Sequence, residues 1–148
     1  MSSESSAAQL ARVTLLLSDF ERALRRLADV LLQPENEFIR DAAIQRFEFS
    51  FELGWKAVQA AARLEGQECA SPRVAISAAW RNGWIDNEAA WLDMLEDRNK
   101  ASHAYRDAIA REVFAALSRH LSQLGDLHRV LEARVAQIAS QTRQEPAP

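Results

Sequence analysis

The chain has 148 residues, a formal net charge of -3 and one cysteine. That length suits one domain, which buries roughly 70% of the surface its unfolded chain exposes. The lone Cys69 excludes an internal disulfide framework and reads as a small packed residue in a reducing compartment. The acidic balance excludes broad, nonspecific coating of nucleic acid but leaves room for a local phosphate-binding cleft.

Residues 1–8 are rich in Ser and Ala, and the apolar run that follows, residues 13–17, is short and interrupted by Thr14. Neither a signal peptide nor a membrane span is expected, so the location expected is cytoplasmic. Leu10, Val13, Leu17, Phe20, Leu24, Leu27 and Leu31 alternate spacings of three and four, which predicts a first long helix. Pro34 should stop it, because a proline disfavours helical geometry in the residue before it.

Asn36 is placed to cap a second helix that runs to about Glu65, with Gly66 ending it. That helix carries two apolar stripes, one through Ile44, Phe47, Phe51, Trp55, Val58 and Ala62, the other through Phe49, Leu53, Ala57, Ala60 and Leu64. Two stripes imply several packing neighbours and a central position. Between them runs a polar line, Gln45, Glu48, Glu52, Lys56, Gln59 and Arg63, which is either a solvated face or part of the border of a cleft.

Ser71-Pro72 opens a third, short helix that should end at Asn82-Gly83. Asp86 can cap a fourth, with Trp91, Met94 and Leu95 on its apolar side. The four tryptophans, Trp55, Trp80, Trp84 and Trp91, read as core or interface rather than a ligand cage. Asp107 can cap a last long helix whose seam is Leu117, Leu121, Leu124, His128, Leu131, Val135 and Ile138. In that seam His128 reads as a buried, hydrogen-bonded or interfacial histidine, whereas His120 reads as peripheral. The whole predicts an all-α, antiparallel bundle of four or five helices, a single domain over 1–148 with frayed ends at about 1–8 and 141–148.

Between the fourth and fifth helices lies Arg98-Asn99-Lys100-Ala101-Ser102-His103-Ala104-Tyr105-Arg106, basic and free of acid although Asp93, Glu96, Asp97 and Asp107 flank it. A guanidinium can hold a phosphate while an imidazole moves a proton, and this pair suffices for attack of a 2′-hydroxyl on the neighbouring phosphorus of RNA. Asn99 and Ser102 can position the phosphate or the ring. On one unbroken helix Arg98 and His103 would diverge by about 140°, so they converge only if the helix ends between them or a second copy supplies one of them. No His or Cys lies at metal-ligand spacing from His103, so no metal is expected, and Ser102 lacks the setting of a nucleophile elbow. The bland alternative is a polar junction between two helices.

Three segments, residues 44–56, 71–73 and 91–105, resemble the HEPN superfamily, specifically its HepT-like branch of toxins, also called nucleotidyltransferase substrate-binding proteins. The resemblance implies a dimeric bundle in which two Arg-x4-His motifs share a cleft, a metal-independent endoribonuclease site with Arg98 and His103 as catalytic pair and no cofactor. It also implies a minimal nucleotidyltransferase antitoxin as partner, RNA as substrate, and Tyr105 as the residue to which AMP is attached to silence the toxin. Two rivals stay open: a noncatalytic substrate-binding subunit of a nucleotidyltransferase, and a purely structural helical adaptor.

Overall fold

The computed structural model describes residues 3–144, and the outermost parts of the segments expected to fray, 1–2 and 145–148, lie outside the described residues. Five α-helices follow one another: α1 (Ser3–Leu31), α2 (Glu37–Leu64), α3 (Pro72–Arg81), α4 (Glu88–Lys100) and α5 (Asp107–Gln144), with one 3₁₀ turn, Ala101–His103, between α4 and α5. Among the described residues there is no strand.

The ends of these helices follow from local chemistry. Asn36 accepts a hydrogen bond from the Ile39 N–H at 2.9 Å, and Ser71 accepts one from Val74 at 3.3 Å, so each satisfies an amide that the first helical turn leaves unpaired. Gly66 and Gly83 take positive φ of 77° and 74° just beyond α2 and α3. In both places the next residue donates back into the helix, Gln67 to Ala62 and Trp84 to Ala79, which closes the last turn. Two capping assignments shift. The cap of α4 is Asn87, whose side chain accepts from the Ala90 N–H at 3.0 Å, and not Asp86. Asp107 is the first helical residue of α5 rather than its cap, because its carboxylate is drawn to Arg111 at 2.7 Å and faces Arg40 at 3.6 Å.

The three long helices form the core. Arg46 of α2 reaches the Arg26 carbonyl of α1 at 2.7 Å, and Arg134 of α5 pairs with Glu65 at the end of α2. With Arg40 near Asp107 at the other end, α1 lies antiparallel to α2 and α5, which the α3–α4 excursion leaves running in the same direction. Both seams face inward: Val13, Phe20, Leu27, Leu117, Leu124 and Leu131 are almost wholly buried. His128 is buried in its seam as expected, with Nε2 2.9 Å from the Leu17 carbonyl. Trp84 and Trp91 are core residues and Cys69 is packed, whereas Trp80 is exposed on α3.

At Gly54 the backbone of α2 comes close to both other long helices. A Cβ there would lie 3.1 Å from Cζ of Phe20 on α1 and 3.4 Å from Cδ2 of Leu124 on α5, both fully buried. Added methyl groups press on a fully buried aromatic ring, and overpacking of this kind typically costs about 1–3 kcal/mol. Gly54→Val is therefore expected to lower the midpoint of urea unfolding by that order while leaving the helical circular dichroism of the native state intact. An unchanged midpoint would show that the three helices are not pinned at this point.

Candidate functional site

The fourth helix ends inside the Arg98-to-His103 segment without a glycine or proline. The Ala101 N–H is shared between the carbonyls of Asp97 and Arg98, and Ala104 donates to Ala101 at 3.2 Å, so α4 tightens into the 3₁₀ turn. Ser102 takes part in this tightening, since its hydroxyl donates to the Asn99 carbonyl at 3.0 Å. The condition that the helix end between the arginine and the histidine is met.

Arg98 and His103 nevertheless have different neighbours. Arg98 Nη2 donates to Glu52 Oε2 of α2 at 3.2 Å, its other nitrogen lies 3.4 Å from Asn99 Oδ1, and its guanidinium carbon sits 5.8 Å from the centre of the Phe51 ring. His103 is exposed at the end of the 3₁₀ turn, edge-on to Tyr105 with ring centres 6.2 Å apart. Tyr105 is 77% exposed, and the Arg106 guanidinium lies over its ring. Among the described residues no hydrogen bond, ion pair or ring contact joins Arg98 to His103. Behind Tyr105 a cavity of about 360 Å³ opens between α2 and the turn, lined by Arg40, Ile44, Gln45, Glu48, Ala104 and Tyr105 among others.

The polar line of α2 therefore borders this region. Burial pushes the Glu52 carboxyl up, but hydrogen bonds from Trp55 and Lys56 and the charges of Lys56 and Arg98 outweigh it and hold the group below the usual carboxylate range. Burial raises Glu48, with Arg98 opposing. One guanidinium thus faces two carboxylates. Farther along the line, Gln59 donates to the Cys69 carbonyl at 2.6 Å and Arg63 pairs with Glu68, contacts that fasten the α2–α3 loop.

The residue that sequence reasoning misplaced is His120. Far from peripheral, it is 0% exposed, with Nε2 2.7 Å from Asp97 Oδ2 on α4 and its ring stacked on Phe47 of α2 at 5.3 Å. Its Nδ1 is buried with no hydrogen-bond partner among the described residues. Protonating that nitrogen would bury a donor without an acceptor, so the ring is a neutral N–H donor to the Asp97 carboxylate. Burial moves its pKa in the same direction, below the ordinary histidine value, against the opposing charge of Asp97. Arg40 was also missed: it is buried between Glu35 at 2.8 Å and Asp107, joining the starts of α2 and α5.

A five-helix bundle with an Arg-x4-His segment where the fourth helix gives way to the fifth is of the HepT-like HEPN type. The family profile described as nucleotidyltransferase substrate binding protein like matches residues 15–133, and the chain belongs to that family. A crystal structure of a protein from Thermus thermophilus is 36% identical, with a TM-score of 0.69, over 78% of this chain and 98% of that one. The fold is shared with a chain of a mutant toxin-antitoxin MntA-HpeT structure (17% identity, TM-score 0.69, 82% and 97% covered). It is shared too with HI0074 from Haemophilus influenzae, described as a substrate binding domain of a nucleotidyltransferase (24% identity, TM-score 0.60, 83% and 98% covered). No curated protein matches the chain. Among the described residues no helix is long and apolar enough to cross a membrane.

The His120 geometry sets a pH dependence. A histidine whose folded pKa lies below its unfolded value of about 6.5 contributes stability that is complete above that value and is lost as pH falls through the folded pKa. The charged groups acting on it are Asp97 and Asp93 of α4, which favour protonation, and Arg119 of α5, which opposes it. In His120→Leu the decline in melting temperature between about pH 7.5 and about pH 5 is expected to be shallower than in wild type. Parallel declines in the two proteins would mean that His120 takes up its proton equally in the folded and unfolded states, and a steeper decline in His120→Leu would mean that it carries its proton in the folded state.

Proposed function

We propose that the protein is a cytoplasmic, single-domain HepT-like toxin, a metal-independent endoribonuclease that works as a two-fold dimer and is neutralised by a minimal nucleotidyltransferase. Arg98 and His103 are its catalytic pair, Asn99 and Ser102 support them, and Tyr105 is its point of control. The observation that carries this reading is the termination of α4 between Arg98 and His103, which leaves His103 and Tyr105 exposed on one short segment while Arg98 is oriented from α2. The family, and the toxin-antitoxin assembly among the structures that share the fold, support it.

In this mechanism one histidine takes the proton of a ribose 2′-hydroxyl, and the oxygen attacks the adjacent phosphorus. The bond to the 5′-oxygen breaks, and the second histidine of the dimer protonates that leaving group. The products are a 2′,3′-cyclic phosphate and a 5′-hydroxyl. Arg98 holds the nonbridging oxygens as charge builds on them, the kind of contact for which a planar, bidentate donor is suited. A dimer also answers the separation of the two side chains within one copy, since each cleft then contains two motifs.

Control acts through Tyr105. Its phenolic oxygen attacks the α-phosphorus of ATP, pyrophosphate leaves, and the phenol proton passes to a base. The resulting phosphodiester puts a negative charge beside Arg106, at the segment where the RNA backbone would bind, and competes with it. The cavity behind Tyr105 gives the adenosine group room without unfolding the turn.

A second reading, a noncatalytic subunit that presents a substrate to a nucleotidyltransferase, is favoured by one observation: Arg98 is already paired with the Glu52 carboxylate, which weakens its hold on a phosphate. The two readings part on RNA. Cleavage is expected to persist in EDTA and to leave a 2′,3′-cyclic phosphate, with Arg98→Ala and His103→Ala each losing at least about 100-fold while keeping their helical content. Wild-type activity in both variants would remove the assignment, and intact RNA with no toxicity on induction would favour the noncatalytic subunit.

Tyr105→Phe keeps the ring but removes the acceptor oxygen. That variant should stay folded and toxic yet escape neutralisation by the partner and ATP, with mass spectrometry detecting AMP on wild type alone. Full neutralisation of Tyr105→Phe would mean that partner binding is sufficient for inhibition.

A further inference from the structure

We propose that Asp97 and His120 are a positioning pair that fixes the last turn of α4 and thereby the aim of Arg98, an inference that rests on the ribonuclease reading for its catalytic consequence. The residues of α4 that enter the core are Trp91, Met94 and Leu95, all upstream of that turn. The turn itself, residues 97–100, contributes no apolar side chain to the core, although Ala101 just beyond it does, so the directions of its own side chains are set by polar contacts.

Among the described residues there are three such contacts to other helices: Asp97 to His120 of α5, Arg98 to Glu52 of α2, and Lys100 to Glu112 of α5. The last two are a third or more exposed on both sides, where solvent and salt weaken an ion pair. The first is shielded: the His120 side chain is 0% exposed and that of Asp97 15%. In such surroundings a hydrogen bond to a charged acceptor is stronger, and its loss leaves a carboxylate short of a donor.

The histidine is also costly in the place it occupies. Its neighbours along α5 are Leu117, Leu121 and Leu124, and a leucine would fill the position without desolvating two ring nitrogens, one of which finds no partner. What the imidazole supplies beyond packing is a donor aimed at Asp97, while its face rests on Phe47 of α2. One side chain thus couples α5, α4 and α2 beside the arginine.

Adjacent residues on a helix diverge by about 100°. Asp97 is therefore fastened to α5 and Arg98 to α2, and the two together fix the rotation of α4 about its axis. With the guanidinium roughly 8 Å from that axis, a rotation of about 10° displaces it by more than about 1 Å, a shift that can cost about 100-fold when a charged group must meet a transition state. Asp97 and His120 touch no substrate in this scheme and act through Arg98.

The test compares wild type, His120→Leu and His120→Gln as full-length proteins, with two readouts: amide hydrogen exchange and cleavage of a short single-stranded RNA across a range of pH. In His120→Leu the amides of residues 98–103 should exchange at least about tenfold faster while those of 47–58 are unchanged, and kcat should fall at least about tenfold with KM held within about threefold. Glutamine, whose side-chain amide can donate to Asp97, should restore most of both. The pH profile of the residual activity should keep its wild-type shape, because His120 transfers no proton.

Wild-type exchange and kcat in His120→Leu would overturn the proposal. So would a glutamine variant as slow as leucine with wild-type exchange, or a displaced limb of the pH profile, since either would mean that the imidazole takes part in the chemistry. If wild type fails to cleave RNA, the ribonuclease reading falls by itself. Exchange at residues 98–103 then decides the positioning claim: acceleration in His120→Leu with recovery in His120→Gln supports it, and equal rates in all three proteins overturn it.

Discussion

Three long helices meet at a position with no side chain, and the arrangement of everything else follows from that contact. At Gly54 the backbone of α2 lies against Phe20 of α1 and Leu124 of α5, so α2 is covered on two sides along its middle turns. This is the physical meaning of its two apolar stripes. It leaves α3 and α4 to pack on the outside of the trio, where α4 buries Trp91, Met94 and Leu95 and packs Leu92 partly against the core. The site consequently sits at the end of a helix whose last turn, residues 97–100, adds no apolar side chain to the core. Buried Arg40, held between Glu35 and Asp107, secures the neighbouring end of the bundle by joining the start of α2 to the start of α5. Scaffold and site thus differ in what holds them: close apolar packing in the first, charged hydrogen bonds in the second.

That division explains what the sequence made legible. Caps and stops were readable because they act within a few residues: Asn36 and Ser71 meet amides three positions on, and Gly66 and Gly83 take backbone angles that other residues resist. Heptad spacing located the core of α1 and α5, and His128 with it, because that burial is shared by a whole seam. Asp86 and Asn87 are adjacent and equally able to cap, so only the tertiary path of the loop chooses between them. His120 was lost for a different reason. It lies on the flank of its seam, and its burial depends on α4 and α2 arriving from elsewhere in the chain, through Asp97 and Phe47. Periodicity within one helix contains no trace of such contacts. The same holds for Glu52, which is 46 positions from Arg98 and could be read only as one member of a polar line with two possible fates.

The pairing of Arg98 with Glu52 at first looks like an obstacle to binding RNA, but its magnitude argues otherwise. A pair a third exposed on both sides is worth about 0–1 kcal/mol, whereas a guanidinium meeting a phosphate can form two charge-assisted hydrogen bonds at once. A phosphate can therefore take over part of the guanidinium without breaking the scaffold, and Glu52, itself held by Trp55 and Lys56, keeps the arginine near its working position in the meantime. The cost falls on affinity. With Glu48 and Glu52 beside the arginine and a net charge of -3, long-range attraction for a polyanion is weak. Few phosphates can be engaged per copy, so binding should depend less steeply on salt than that of proteins with broad basic faces. In the proposed dimer, pairing two copies would remedy this, because it would double the guanidinium groups in one cleft and set both histidines around a single phosphate. Under the proposed ribonuclease reading, a dimer would thus supply binding strength as well as the second proton-transfer group.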